Sequence, residues 1–166
     1  MAISPAQLAA AFDAHAASLV LYARQWLDRQ AAEDAVQDVF LRLLSQRGLP
    51  ANLRAWLFRS VRNEAISHTR SQYRRRQREQ AVAADRPGFF RPDPADLIDA
   101  RSAQAALESL PHSQREVIVL RLWGGLTLAE VASLVGEPVS TVFDQYRAAL
   151  ANIREKLESS CNTRTI

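Results

Sequence analysis

The chain is 166 residues long, 48% hydrophobic and 23% charged, with a net charge of +3 and a pI near 9.6. That length accommodates one ordinary domain or two small ones, and the apolar share excludes wholesale disorder. A single cysteine, Cys161, excludes an internal disulfide and a cysteine-based zinc site, and apolar runs such as Leu19 to Tyr22 are far too short to span a bilayer.

The first predicted helix opens at Ser4 and Pro5, which read as an N-cap and a first helical position. Leu8, Phe12, His15 and Leu19 follow at helical spacing. With no second histidine or cysteine beside it, His15 reads as a packed residue rather than a metal ligand. Asp13 and His15 also interrupt any apolar core near the start, so no signal peptide is expected. The chain reads as a soluble protein of a reducing compartment, cytoplasmic and without membrane insertion.

A second helix is predicted over 31–44, its apolar stripe made of Val36, Val39, Phe40, Leu43 and Leu44. The opposite stripe carries Asp34, Gln37, Asp38 and Arg42, which periodicity alone reads as a solvated face. The loop 45–54 leads into a third helix, predicted over 53–79. There Leu57, Phe58, Val61 and Ala65 gather on one side, and Trp56, Arg59, Asn63, Arg70 and Arg74 on the other. Arg75, Arg76 and Arg78 extend the charge at its end. Eight arginines between Arg54 and Arg78, against Glu64 as the only acid, make a strong local positive field. With an aromatic at its head, such a stripe suits phosphate contact and base stacking.

Residues 81–99 break this pattern with Pro87, Gly88, Pro92 and Pro94, while Asp85, Asp93, Asp96 and Asp99 make the stretch acidic. It reads as a flexible linker, in which Phe89 and Phe90 either anchor the segment or pack locally. Beyond it, Ser113 and Glu116 begin a helix that ends at Leu122 and Trp123, both expected to close the second hydrophobic centre. His112, beside Pro111, reads as loop. Thr127 and Glu130 form a capping box for a short helix with Val131 and Leu134 inward. Gly136 ends it and Pro138 is placed to start the next, where Tyr146 and Leu150 share a face expected to pack. A short helix, a glycine-containing turn and a longer amphipathic helix make a helix-turn-helix, whose second helix normally enters a DNA major groove. No strand pattern appears, so the expected class is all-α: two small helical domains joined by a flexible linker, the second containing the helix-turn-helix. The expected divisions are 1–80, linker 81–99, 100–160 and a disordered tail 161–166.

Three separated runs in this order, AEDAVQDVFLRLL at 32–44, AWLFRSVRNEAISHTRSQYRR at 55–75 and LPHSQREVIVLRLWGGLTLAEVASLVGEPVSTV at 110–142, resemble bacterial sigma factors of the extracytoplasmic function class. The resemblance covers nearly the whole chain apart from the linker and the last residues. It implies that Asp34, Gln37, Asp38 and Arg42 dock on the coiled coil of the largest catalytic subunit of core RNA polymerase, replacing the solvated-face reading. It implies that Trp56, Arg59, Asn63, Arg70, Arg74 and Arg75 engage promoter DNA at the minus-ten element, and that the loop at 46–54 receives a flipped base. In the second domain it implies minus-thirty-five recognition by Ser140, Thr141, Phe143, Asp144, Gln145 and Arg147. An anti-sigma factor is an implied partner, and no cofactor or metal is expected.

Two departures from the family pattern stand out. Ser67 occupies a position usually held by aspartate. Where similar proteins read G-T-V-K-S-R, this chain has Ser140, Thr141, Val142, Phe143, Asp144 and Gln145. Phosphate and guanine contacts favour lysine or arginine. Phe143 can instead touch a thymine methyl, Gln145 pair with adenine and Asp144 accept from cytosine, so the minus-thirty-five element is either unusual or read weakly. A degenerate sigma-like regulator and an autonomous helix-turn-helix regulator stay as alternatives. An enzyme is not expected, because no nucleophile motif, glycine-rich phosphate loop or metal spacing is present.

Overall fold

The computed structural model describes residues 3–78 and 97–162. Among them every regular element is a helix, and the chain divides into two units, Met1–Pro87 and Gly88–Ile166. No helix among the described residues is long and apolar enough to cross a membrane.

The first unit holds α1 (Pro5–Ala23), α2 (Arg29–Leu44) and α3 (Leu53–Arg78). Each start is set by a side chain that satisfies backbone N–H groups the helix leaves unpaired, a device that contributes about 1 kcal/mol. At α1 the Ser4 hydroxyl accepts from the Gln7 N–H at 3.2 Å while the Gln7 Oε1 accepts from the Ser4 N–H at 2.9 Å. Asp28 accepts from the Ala31 N–H at 2.8 Å and starts α2 two residues before the periodicity does. Asn52 accepts from the Ala55 N–H at 3.1 Å at the head of α3.

The three helices pack pairwise on one another. Leu19, Tyr22, Val36, Val39, Leu43, Leu57, Phe58 and Val61 form their buried centre, with Tyr22 edge-on to Phe58 at 5.4 Å. Because α2 begins at Arg29, its inward stripe starts a turn early, at Ala32 and Ala35. Leu44, expected inside, is the last helical residue and stays exposed. Phe12 is also largely exposed, its ring tilted against Phe40 at 5.0 Å. His15 is half-buried; that burial, and then the nearby Arg54 charge, hold its pKa below the ordinary histidine value and favour the neutral ring.

The second unit holds α4 (Leu97–Glu108), α5 (His112–Leu122), α6 (Leu128–Val135) and α7 (Val139–Asn162). Helix α7 is its spine, since α4, α5 and α6 all pack against it. Val117, Ile118, Leu120, Leu126, Val131, Val142 and Ala149 fill the centre. The capping box at α6 is formed: the Thr127 N–H donates to the Glu130 carboxylate at 2.7 Å and the Glu130 N–H to the Thr127 hydroxyl at 3.2 Å. Gly136 ends α6 in the left-handed region, at φ 79°, where a side chain is disfavoured.

Several expectations are corrected here. Leu122 and Trp123 do not close the core; they are 52% and 47% exposed. Ile118, Leu120 and Leu126 already fill that centre, and Trp123 lies in the turn past the end of α5. His112 is the first residue of α5 rather than loop, its imidazole 3.8 Å from the buried Glu116 carboxylate. Leu150 is exposed and Tyr146 only half-buried, because the inward line of α7 runs through Val142 and Ala149. Pro138 sits one residue before α7, its carbonyl accepting from the Val142 N–H at 3.1 Å. Helix α4 starts at Leu97 and α7 runs to Asn162, so residues 97–99 of the expected linker and 161–162 of the expected tail are helical. The rest of the linker, with Phe89 and Phe90, and residues 163–166 lie outside the described residues.

The turn between α5 and α6 depends on Gly124. A Cβ there would stand 2.4 Å from the Leu120 carbonyl oxygen, which is backbone and held in the helix. Gly124→Ala is therefore expected to destabilise the protein by about 1–3 kcal/mol, the usual cost of overpacking a closed site. Thermal unfolding of the full chain followed by far-ultraviolet circular dichroism checks this, and an unchanged transition would contradict it.

Candidate nucleic-acid interface

Helix α3 carries two faces set by its own periodicity of about 3.6 residues per turn. Leu57, Phe58, Val61 and Ala65 are buried, as expected, and hold the helix against α1 and α2. On the other side Arg59, Asn63, Arg70 and Arg74 are exposed and Trp56 is half-buried. Asn63, Arg70 and Arg74 have no intramolecular partner among the described residues. Arg75 is exposed too, but at about 100° per residue it lies a quarter-turn from the stripe. Ser67, the departure from the family pattern, is exposed.

The single acid of α3 is not left in the arginine field. Glu64 accepts from the Arg42 guanidinium of α2 at 2.7 Å. This pairing removes the one negative charge that would offset the stripe. It also means that Arg42, grouped with the acidic face of α2 in the sequence, is engaged across to α3. The pair is partly exposed, and such pairs contribute at most about 1 kcal/mol, so a partner can compete for either member.

The other three residues of that α2 face are exposed. Asp34 accepts from the Gln30 amide at 3.1 Å, whereas Gln37 and Asp38 have no intramolecular partner among the described residues. A shallow groove between α2 and α3 is lined by Asp28, Asp34, Asp38, Glu64 and His68. One neighbour was missed by sequence reasoning: Leu41, 65% exposed, stands amid Asp34, Gln37 and Asp38 at helical spacing. The available signal was its position, seven residues from Asp34 and outside the apolar stripe. Ahead of α3, the loop from Ser45 to Asn52 is exposed except at the half-buried Pro50.

In the second unit, the first two turns of α7 present Ser140, Phe143, Asp144 and Arg147 outward together. Thr141 and Gln145 turn towards the body and are half-buried, while Val142 is fully buried beneath them. The Arg147 guanidinium lies over the Phe143 ring, 5.7 Å from its centroid. Asn152 donates to Gln114 at 2.9 Å, tying α7 to α5 behind this face. Among the described residues no group of three or more His, Cys, Asp and Glu is placed to hold a metal ion.

The two units match, in order, the family models described as Sigma-70 region 2, over residues 11–75, and Sigma-70, region 4, over residues 100–153. The chain is 32% identical over 133 residues to the ECF RNA polymerase sigma factor EcfG of Rhodopseudomonas palustris, covering 74% of this chain and 68% of that one. It is 29% identical over 151 residues to the ECF RNA polymerase sigma factor SigK of Mycobacterium ulcerans, covering 84% of this chain and 79% of that one. Among solved structures, the sigma factor RpoE from Bartonella quintana matches with a TM-score of 0.72 and 25% identity, over 89% of this chain and 93% of that one. The two matched regions, carried on all-helical units with a basic helix in one and a helix-turn-helix in the other, are those of a sigma-type transcription initiation factor. The chain belongs to the extracytoplasmic function family of RNA polymerase sigma factors.

Proposed function

We propose that this protein directs core RNA polymerase to promoters through three surfaces, each assigned to a step. The face of α2 formed by Asp34, Gln37 and Asp38, with Arg42 at its edge, docks on a basic helical element of core polymerase. Exposed carboxylates and an amide on a rigid helix steer and orient a cationic partner, and Leu41 supplies an apolar anchor among them. The stripe of Trp56, Arg59, Asn63, Arg70 and Arg74, with Arg75 at its flank, holds the non-template strand at the minus-ten element. Phosphate contacts and stacking on single strand offset the base pairing lost on opening. The outward face of α7 reads an upstream duplex element, with Ser140, Phe143, Asp144 and Arg147 central and Thr141 and Gln145 at its edge.

The observation that carries this reading is the exposed arginine and asparagine stripe of α3, on which Asn63, Arg70 and Arg74 have no intramolecular partner among the described residues and whose only acid is paired with Arg42. The chain supplies binding and strand separation; the polymerase supplies the chemistry, in the cytoplasm. The first unit is region 2-like over 1–80 and the second region 4-like over 100–160. The Bartonella quintana relative is a sigma factor in complex with the anti-sigma factor NepR, which supports an anti-sigma partner for this chain as well.

Run-off transcription with purified core polymerase, genomic templates and this protein as sole sigma tests the reading. Discrete transcripts absent without the protein are expected. A second reading is favoured by Phe143 and Gln145, which stand where the family carries basic residues on α7, and by the acid Asp144 between them: a sigma-like regulator that binds core polymerase without initiating. Stable core binding without transcripts would select that reading, and failure to bind core would return an autonomous helix-turn-helix regulator to first place.

A further inference from the structure

We infer that the ring of Phe143, braced by Arg147, is the specificity-determining group of α7 and takes the C5-methyl group of a pyrimidine in the major groove. The inference rests on α7 being the recognition helix, as proposed above. Phe143 is 45% exposed although the core beneath it is already closed by Val142, so the ring is not needed to fill the unit. Arg147 lies with its guanidinium 5.7 Å from the ring centroid. The basic residue nearest the start of the helix therefore rests on an aromatic face instead of extending towards phosphate. Asp144, exposed beside the ring, puts negative charge where backbone contact calls for positive.

Base-edge chemistry limits what such a surface can meet. Across the major groove the four bases present hydrogen-bond donors and acceptors, and one apolar group, the thymine methyl. A phenyl ring pressed on the polar atoms of the other edges strips their water and returns no hydrogen bond. Against a methyl group there is no such loss. The i, i+4 spacing with Arg147 restricts the ring to one side of the helix, so it meets the groove already oriented. Asp144, one residue on, can accept from the exocyclic amine of an adjacent base pair. The same contact accepts 5-methylcytosine as readily as thymine at that ring-facing group, and it disfavours uracil, which lacks the methyl group.

The test uses the full chain bound to core RNA polymerase. Upstream duplex elements are selected from a randomised pool, and each selected thymine is then replaced singly by deoxyuridine. The expected result is one position where the replacement weakens holoenzyme binding about fourfold, the burial value of a single methyl group. Phe143→Ala is expected to bind the thymine and uracil duplexes equally. Tolerance of uracil at every selected thymine, an element lacking thymine, or discrimination that survives in Phe143→Ala would overturn the assignment while leaving α7 as the reader. If no upstream element is selected at all, and Ser140→Ala and Asp144→Ala leave binding unchanged, the recognition-helix reading itself fails and this assignment with it. The uracil comparison needs no variant protein, so it stands even where a substitution disturbs folding.

Discussion

Asp38→Arg is expected to weaken binding to core RNA polymerase at least thirtyfold, equivalent to about 2 kcal/mol. The carboxylate is exposed and has no intramolecular partner among the described residues, so its replacement costs the first unit little. Its loss is felt only where a partner meets it. The new guanidinium would lie on the same α2 face as Arg42 and repel the cationic surface that the acids attract. Fluorescence anisotropy of labelled protein titrated with core polymerase measures the effect. Thermal unfolding of the same variant, expected to match the parent protein, separates lost docking from lost folding. Unchanged core affinity would remove the α2 face from the docking role and return it to a solvated surface.

The paired change Asn63→Ala with Arg70→Ala is expected to act later, on strand separation. Both side chains are exposed on the α3 stripe, one turn-pair apart, and neither holds the fold together. Core binding should be retained and closed complexes should form. Open complexes, followed by permanganate reactivity of unpaired thymines, should fall by about tenfold to a hundredfold. That range corresponds to losing about 1–3 kcal/mol of single-strand contact. A template already mismatched across the opened region should recover most of the loss, since no pairing remains to be offset. A defect of equal size on both templates would place these residues outside the melting step.

Much of this molecule is legible in its sequence because helices carry their own punctuation. Ser4 with Pro5, Thr127 with Glu130, and Gly136 act through bonds and backbone angles within three or four residues, so no tertiary knowledge is needed to place them. Asp28 and Asn52 work by the same local chemistry; Asp28 precedes a stretch whose apolar periodicity starts later and so was masked by it, whereas the start of α3 at Leu53 was read without its cap. The α3 stripe was equally legible: its apolar side and its arginines are separated by angle alone.

What the sequence determined by itself was therefore the all-helical class, the two helical segments with the acidic, proline-bearing stretch between them, the basic stripe of α3 and the helix-turn-helix. All of these rest on interactions short in sequence. The tertiary structure decided which apolar residues the core had room for, and so left Leu122, Trp123 and Leu150 at the surface once Ile118, Leu120 and Val142 had filled the space. It also decided the pairing of Arg42 with Glu64, twenty-two residues apart, and so the net charge that α3 presents. Neither outcome has a local signature. Volume in a core is shared among elements distant in the chain, and an ion pair between helices exists only after packing brings its members within reach.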